Sequence, residues 1–174
     1  MAPNAIAPTG RARTFGESEI IVSKTDLRGR IRYANDVFLR LSDYAEAEVL
    51  GRPHSIIRHP DMPRAVFKLL WERLKAGSEI FAYVKNMARN GDHYWVLAHV
   101  TPTRGPTGEI VGYHSNRRAP RADALAQIEP LYARLRARET GARNAKDGLA
   151  ASDRLLREVV AETGLTYERF IFTV

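Results

Sequence analysis

Three consecutive segments in the middle of the chain carry the pattern that most constrains its fold. They read EIFAYVKNM, HYWVLAHVTP and EIVGYHSN, and each predicts a strand. The first connection contains Asn90-Gly91, a strong hairpin signal, and the second connection, TRGPTG, is a Pro/Gly loop. Together they predict a three-stranded antiparallel meander.

The residues before the meander predict two further strands and short helices. Residues 20–22 and 31–33 form strands on either side of a turn, TDLRG. Asn35 or Asp36 can cap the helix that follows, and another short helix ends at Gly51. The sheet therefore has five strands, with helices inserted between the second and the third.

The segment RHPDMP, residues 58–63, is a stiff turn that leads into a clear helical pattern. Pro63 suits the first turn of that helix, and Asp61 is the candidate N-cap. Arg58 can hold a phosphate as a forked donor, and His59 can bind a ring edge, a phosphate or a metal. The turn thus starts a helix and offers side chains to a ligand.

Two amphipathic helices are predicted after the meander, over residues 124–138 and 149–162. The whole pattern predicts an α+β fold: a single five-stranded antiparallel sheet with short helices on one face, plus C-terminal amphipathic helices. We expect a flexible N-terminal arm over residues 1–18, a central domain over 19–118 and a helical extension over 119–174.

Composition excludes several classes of protein. The absence of cysteine rules out disulfides and thiol chemistry, and it fits a cytoplasmic setting. No secretory signal, and no apolar run of about 18 residues that could insert in a membrane, is present. The net charge of +7 comes from scattered residues, which is typical of solvated helix faces, so no nucleic-acid partner is expected. An anionic ligand or an acidic partner explains the surplus charge about as well as nucleic acid does. No motif predicts a metal site or enzymatic activity.

Asn86 is the most informative polar residue. Alternation places it on the same face as Ile80, Ala82 and Val84, beside the aliphatic face of the next strand. If that face packs toward the helices, the small side chains leave a slot. Asn86 lies at the edge of this slot, and its amide can both donate and accept hydrogen bonds. A flat heteroaromatic ring with an imide edge fits this slot. The alternative is an Asn that caps the strand end near the hairpin.

The opposite face of the meander is apolar and needs a cover. Trp95, Leu97, Phe81 and Tyr83 share this face. A patch of this kind is covered either by the additional helices or by another protein. The sequence does not distinguish these two arrangements.

The order of elements resembles a PAS domain, and four stretches closely resemble the cytoplasmic sensor domain of bacterial aerotaxis receptors. They read TDLRGRIRYAND, GRPHSIIRHPDMPRAVFKLLW, VKNMARNGDHYWV and QIEPLYARL, and they extend from about Thr25 to Leu135. RHPDMP followed at this distance by KN and NGDHYWV is a specific signal. The resemblance implies a PAS sensor domain over residues 19–118.

Aerotaxis-receptor PAS domains bind FAD noncovalently and report redox state or oxygen supply to the chemotaxis machinery. The resemblance therefore implies FAD as cofactor and a chemoreceptor or chemotaxis protein as partner. A homodimer through the sheet face or the C-terminal helices is a further expectation. Carried over by position, the resemblance implies seven residues that bind the cofactor or brace its pocket: Asn35, Arg58, His59, Asp61, Trp71, Asn86 and Tyr94.

Two features depart from the family pattern. Ile80 stands where the family has a Trp before the KN motif. The chain also ends at YERFIFTV, before any membrane anchor or methyl-accepting signalling domain, so we expect a stand-alone sensor or part of a longer protein. Two other functions stay open: a haem-binding PAS gas sensor with His54 or His59 as the axial ligand, and a ligand-free PAS interaction module.

Overall fold

Five strands and six α-helices make up residues 6–174, the part of the chain that the computed structural model describes. The strands are β1 (Ile21–Asp26), β2 (Ile31–Ala34), β3 (Ile80–Met87), β4 (His93–Arg104) and β5 (Ile110–Arg118). The helices are α1 (Asp36–Ser42), α2 (Glu46–Val49), α3 (Arg64–Lys75), α4 (Ala122–Thr140), α5 (Ala145–Glu162) and α6 (Tyr167–Thr173). A short 3₁₀ helix covers His54–Ile57.

The strands form one antiparallel sheet in the order β2-β1-β5-β4-β3. Strands β3, β4 and β5 are the predicted meander, and Gly91 adopts φ +91° in the first hairpin turn. Asn86 lies opposite Tyr94 in the β3–β4 register. The predicted fold class, a five-stranded antiparallel sheet with short helices on one face and C-terminal helices, is confirmed.

Local capping explains where α1 begins but not where α3 begins. The Asn35 side chain accepts a hydrogen bond from the backbone N–H of Phe38 at 3.0 Å, as expected of an N-cap. The predicted cap of α3 by Asp61 is wrong, because the Asp61 carboxylate lies 3.0 Å from Lys85 Nζ instead. The backbone N–H of Ala65 is bound by the side chain of Glu139, 74 residues later.

The C-terminal helices cover part of the outer face of the sheet. Helix α5 packs on α4 and α3, and α6 packs on β3. The rings of Trp95 and Tyr132 lie 5.9 Å apart, and those of Phe81 and Phe172 lie 4.7 Å apart. Intramolecular helices, including α6, which the sequence patterns did not predict, therefore cover the β3 side of this face.

Strand β3 is an edge strand, and three of its outward backbone carbonyls are bound. The Tyr132 hydroxyl donates to Tyr83 O at 2.7 Å, and the Tyr167 hydroxyl donates to Phe81 O at 3.1 Å. The third carbonyl, that of Lys85, accepts from the backbone N–H of His59 at 3.4 Å. The C-terminal helices and the RHPDMP turn thus meet along one strand.

Residues 9–13 lie along the β3–β4 hairpin. The backbone of His93 exchanges hydrogen bonds with Arg11 and Arg13, at 2.9 Å and 2.7 Å, and the Thr9 hydroxyl donates to Asp92 at 2.6 Å. The first five residues of the predicted arm lie outside the described residues. The division into segments 1–18, 19–118 and 119–174 stays a prediction. No helix within residues 6–174 is both long and apolar enough to span a membrane.

Candidate ligand-binding site

A cavity of about 260 Å³ lies between the inner face of the sheet and helix α3. Small and aliphatic side chains of the meander, Val84, Ala98 and Val100, form part of its wall, as the alternation predicted. Aromatic side chains complete the apolar part of the wall: Phe67, Trp71 and Tyr113. The cavity therefore has the mixture of apolar and aromatic surface that is typical of small-molecule sites.

The RHPDMP turn brings Arg58 to this cavity beside Asn86. The backbones of Arg58 and Asn86 form an isolated antiparallel bridge, so the turn is held against the end of β3. The Arg58 guanidinium lies over the Phe67 ring, 3.8 Å from its centroid, which fixes the direction of the side chain. Burial lowers the pKa of Arg58, yet arginine keeps its charge at neutral pH.

Three buried polar atoms at the cavity wall have no hydrogen-bond partner. They are Asn86 Nδ2, Ser115 Oγ and Arg117 Nη1, three of nine such side-chain atoms within residues 6–174. All three belong to inward-facing positions of β3 and β5. Because buried polar groups are normally paired, this group of atoms indicates a polar ligand.

Arg117 is the most buried of the cations at this site, with 4% of its surface exposed. Its Nη2 donates to Ser23 Oγ at 2.8 Å and to His54 Nε2 at 2.6 Å. Since a guanidinium only donates, Nε2 of His54 is the acceptor and the ring proton is on Nδ1. Burial and the charge of Arg117 lower the pKa of His54 to about 3, so His54 is neutral at neutral pH.

The cavity is electropositive. Arg28, Arg58 and Arg117 line it, and no Asp or Glu is among its lining residues. Burial lowers the pKa of Arg117 to about 10, which leaves the side chain protonated at neutral pH. An isolated buried charge is unfavourable, so the site favours a ligand that carries or acquires negative charge.

Trp71 closes one side of the cavity against the β1–β2 turn. Its ring lies edge-on to Tyr113, with 5.4 Å between centroids. Gly29, at φ +72°, passes so close that a Cβ there would lie 3.2 Å from the Trp71 ring. Glycine is required at this position by the positive φ and by the ring.

The seven predicted site residues fall into two groups. Arg58, Trp71 and Asn86 line the cavity. Asn35, His59, Asp61 and Tyr94 lie behind or beside the wall, and their predicted roles toward a cofactor stay predictions.

The side chain of Asn35 is fully used in bracing β1 against α1. In addition to capping α1, its Oδ1 accepts from Val22 N at 3.0 Å and its Nδ2 donates to Ile20 O at 2.8 Å. Tyr94 is fully buried, and burial raises the pKa of its hydroxyl, which has no partner among the described residues. Both residues support the wall from behind.

His59 is buried and does not line the cavity. Its Nδ1 accepts a hydrogen bond from the backbone N–H of Asp61 at 3.1 Å, and its ring lies edge-on to that of His93. Burial and the nearby charge of Lys85 lower the pKa of His59 to about 4. His59 is therefore neutral at neutral pH and does not form a charged pair with Asp61.

Ile80, the departure from the family pattern, does not line the cavity. It is 2% exposed and pairs with Val100 in the β3–β4 register. The aromatic surface at this site comes from α3 and β5 instead. The substitution therefore changes the core rather than the wall of the cavity.

Sequence reasoning missed Arg117 and Ser115, and it missed the contact of His54 with Arg117. Alternation from Tyr113 along β5 would have placed Ser115 and Arg117 on the inner face. The predicted strand ended at Asn116, one residue before Arg117, so this signal was not used.

The fold is therefore an α+β domain in which a five-stranded antiparallel sheet encloses a cavity against short helices. The family model of the PAS fold matches residues 31–117, and the chain belongs to this family. It is 44% identical over 129 residues to the aerotaxis receptor of Escherichia coli (strain K12). The matched region covers 74% of this chain and 25% of the receptor. The resemblance to aerotaxis receptors is thereby confirmed.

Solved structures of blue-light sensory domains have the same fold. The light-state structure of the photoreceptor Aureochrome1 LOV matches with a TM-score of 0.56 and 26% identity, over 63% of this chain and 88% of that chain. A LOV domain studied with a flavin analogue matches with a TM-score of 0.59 and 22% identity, over 65% and 86%. The chain spans no more than a quarter of the length of the first curated relatives it matches. These relatives have regulatory or sensory names, and the lack of enzymatic activity stays a prediction.

Proposed function

We propose that this chain is a PAS sensor domain that binds FAD noncovalently and reports redox state or oxygen supply through protein contacts. The observation that carries the proposal is the group of unpartnered polar atoms on Asn86, Ser115 and Arg117 at one aromatic-lined cavity. The similarity to an aerotaxis receptor and to a LOV domain studied with a flavin analogue supports a flavin as the ligand.

The polar atoms of the cavity fit the edge of a flavin ring. Asn86 both donates and accepts, Arg117 Nη1 donates, and the Ser115 hydroxyl can do either. Each buried polar group without a partner costs about 1–3 kcal/mol, and hydrogen bonds to the ligand would offset that cost. The cavity volume of about 260 Å³ lies just below the usual range of ligand pockets, roughly 300–1,000 Å³, so the cavity suits the ring system rather than the whole of FAD. Arg28 and Ser55 remain exposed for the anionic phosphates.

A bound flavin would supply reversible electron transfer, in which the ring gains electrons and changes its protonation. Arg58 and Arg117 stabilise negative charge on the ligand, because no carboxylate of the wall opposes them. Asn86 can present either its carbonyl or its NH₂ group to the ring, so its amide can follow a change of protonation. The residues around the ring thus respond to its redox state.

Strand β3 is the proposed route from the ring to a partner. Asn86 faces the cavity, while the carbonyls of Phe81 and Tyr83 on the same strand bind the hydroxyls of Tyr167 and Tyr132. A small movement of the strand therefore reaches the C-terminal helices. We propose a chemoreceptor or chemotaxis protein as the partner, in the cytoplasm. If the chain forms a homodimer through the sheet, the open part of the outer face lies over β1 and β5.

A haem site is less well supported by the geometry. The two candidate axial ligands are both engaged, since His54 Nε2 accepts from Arg117 and His59 Nδ1 accepts from the backbone of Asp61. His59 also lies outside the cavity lining. The arrangement of donors at the wall favours a flat ring with a polar edge over haem.

The absorbance spectrum of the freshly purified protein tests the proposal. A double-banded yellow spectrum indicates flavin, an intense Soret band indicates haem, and the absence of both bands calls for titration with FAD. Asn86→Ala and Arg58→Ala should give folded protein, by circular dichroism, with little flavin. A Soret band, full flavin occupancy in both variants, or no uptake of added FAD by the wild type would overturn the assignment.

A further inference from the structure

Glu139, at the end of α4, is a buried carboxylate that the proposed function does not use. Its side chain is 3% exposed, and Oε1 accepts a hydrogen bond of 3.1 Å from the backbone N–H of Ala65, the second residue of α3. It thereby binds one of the N–H groups that a helix leaves free at its start. Its Oε2 has no hydrogen bond, and Arg136 Nη1 lies 3.7 Å away.

The charge of Glu139 also acts on Arg58 at the cavity wall. Burial lowers the pKa of Arg58, Arg64 and Arg136 lower it further, and Glu139 is the acidic group that opposes them. One buried carboxylate therefore balances part of the positive charge beside the ligand cavity. Through Ala65 the same carboxylate holds the helix whose Phe67 ring supports the Arg58 guanidinium.

The backbone of Glu139 is in close contact with α5. A Cβ at Gly148 would lie 2.5 Å from the backbone O of Glu139, so glycine is required where the two helices approach. Helix α5 is also bound to α3, since Lys68 Nζ lies 2.7 Å from the carboxylate of Asp153. The α4–α5 hairpin is therefore docked on α3, and another side of α3 lines the cavity.

We propose that Glu139 is a positioning residue that couples the docking of the α4–α5 hairpin to negative charge in the cavity; this inference rests on the proposed function. An anionic ligand beside Arg58 offsets the charge of that arginine and repels the Glu139 carboxylate. The carboxylate loses part of its stabilisation in a buried place, and the hairpin separates more readily from α3. By linkage, the docked hairpin weakens binding of the anionic ligand by the same factor.

Three substitutions on α4 separate the charge of Glu139 from its hydrogen bond. Glu139→Gln removes the charge but keeps an oxygen that can accept from Ala65, whereas Glu139→Ala removes both. Glu129→Gln, at an exposed position on the same helix, is the matched control. FAD is titrated into each ligand-free protein, the midpoint potential of bound FAD is measured, and hydrogen exchange of the α5 amides is followed with and without FAD.

In the wild type and the Glu129→Gln control, FAD should accelerate exchange of the α5 amides. Glu139→Gln should stay docked with or without FAD and bind FAD about fivefold more tightly, at the lower end of typical couplings of about 5–150-fold. Its midpoint potential should rise, because removal of a nearby negative charge favours uptake of electrons. Loss of packing alone would not produce that rise. Glu139→Ala should exchange fast in both conditions.

Two results separate failure of the coupling from failure of the proposed function. If Glu139→Gln matches the wild type in FAD affinity, midpoint potential and FAD-dependent exchange, the coupling is wrong and the proposed function stands. If the wild type takes up no FAD, the proposed function and the coupling both fail. Unchanged α5 exchange in ligand-free Glu139→Ala would show that the carboxylate does not hold the hairpin, which also overturns the inference.

Discussion

The cavity wall, to which β3 and β5 contribute, and the outer edge of β3 differ in how their polar atoms are paired. At the cavity, Asn86 Nδ2 and Arg117 Nη1 are buried without partners. At the edge, the carbonyls of Phe81 and Tyr83 each accept a hydroxyl hydrogen bond from a C-terminal helix. These two edge carbonyls are thus paired within the chain, whereas the cavity wall leaves hydrogen bonds for a ligand to make.

This difference separates residues that hold the fold from residues that bind a ligand. A hydrogen bond that is already made within the protein contributes to the stability of the ligand-free chain. A buried donor without an acceptor reduces that stability, and it contributes a hydrogen bond only when a ligand binds. Substitutions in the two regions should therefore have opposite effects on stability and on binding.

We expect the largest effect from Arg117→Met at the cavity. A hydrogen bond to a charged group contributes about 1.5–3 kcal/mol, so FAD binding should weaken about tenfold to hundredfold in a fluorescence titration. The ligand-free protein should lose little stability to urea, because the substitution removes a buried charge from a wall without a carboxylate. Ser23 Oγ and His54 Nε2 lose their hydrogen bonds to Arg117, but they lie 3.1 Å apart and can pair with each other. If the variant binds FAD with wild-type affinity but is less stable, Arg117 stabilises the fold and does not bind the ligand.

Tyr132→Phe should have the reverse effect at the edge of β3. The substitution leaves the carbonyl of Tyr83 buried without its donor, which should lower the free energy of unfolding by about 1–3 kcal/mol. FAD affinity should not change. Tyr33→Phe is the control, because Tyr33 is 44% exposed. Equal losses in both variants would mean that the hydrogen bond to β3 contributes nothing.

His59 connects the two regions, and it should make stability depend on pH. Its pKa of about 4 in the folded protein is below the unfolded value of 6.5, so between these values the unfolded chain binds more protons. Stability should therefore be complete above about pH 6.5 and fall by about 1.4 kcal/mol per pH unit toward pH 4.

His59→Asn isolates this contribution from that of His54, which is also neutral when folded. The asparagine amide oxygen can accept from the backbone of Asp61 in place of Nδ1. Urea unfolding at pH 6.5 and at pH 5.5 should show a smaller loss in the variant, by about 1 kcal/mol, since the unfolded histidine is already half protonated at pH 6.5. The same loss in both proteins would contradict a neutral, buried His59.

The smallest effect is expected where α5 meets α3 at the surface. Lys68 pairs with Asp153 at 2.7 Å and with Glu72 at 2.6 Å, and the Lys68 and Asp153 side chains are 34% and 16% exposed. A double-mutant cycle of Lys68→Met and Asp153→Asn should give a coupling of about 0.5 kcal/mol. It should shrink in about 1 M salt, where screening is strong. A salt-independent coupling would indicate a contact other than a surface ion pair.

The sheet and half of the cavity wall were predictable because their signals are local. The two-residue alternation of EIFAYVKNM predicts that Asn86 faces inward, and the β3–β4 register confirms that face. The stiffness of RHPDMP predicts that Arg58 is held in place. In the structure, a backbone bridge to Asn86 holds Arg58 against the end of β3.

Contacts between distant parts of the chain were not predictable from these patterns. Asp61 has the right type and position to cap α3, but Lys85 binds its carboxylate and Glu139 replaces it at the helix. No periodicity in α4 marks Glu139 for this contact. Arg117 was missed for a different reason, because the predicted strand ended at Asn116 and the alternation that places Arg117 on the inner face was not extended to it.

The tyrosine hydroxyls on β3 also bear on how the protein avoids self-association. Without the residues after 118, the carbonyls of Phe81 and Tyr83 would lose their partners, and this part of β3 would present an unpaired strand edge. Such edges pair with one another between molecules and begin aggregation. The C-terminal helices thus protect the sensor domain against aggregation. A chain that ends at residue 118 should precipitate before it unfolds.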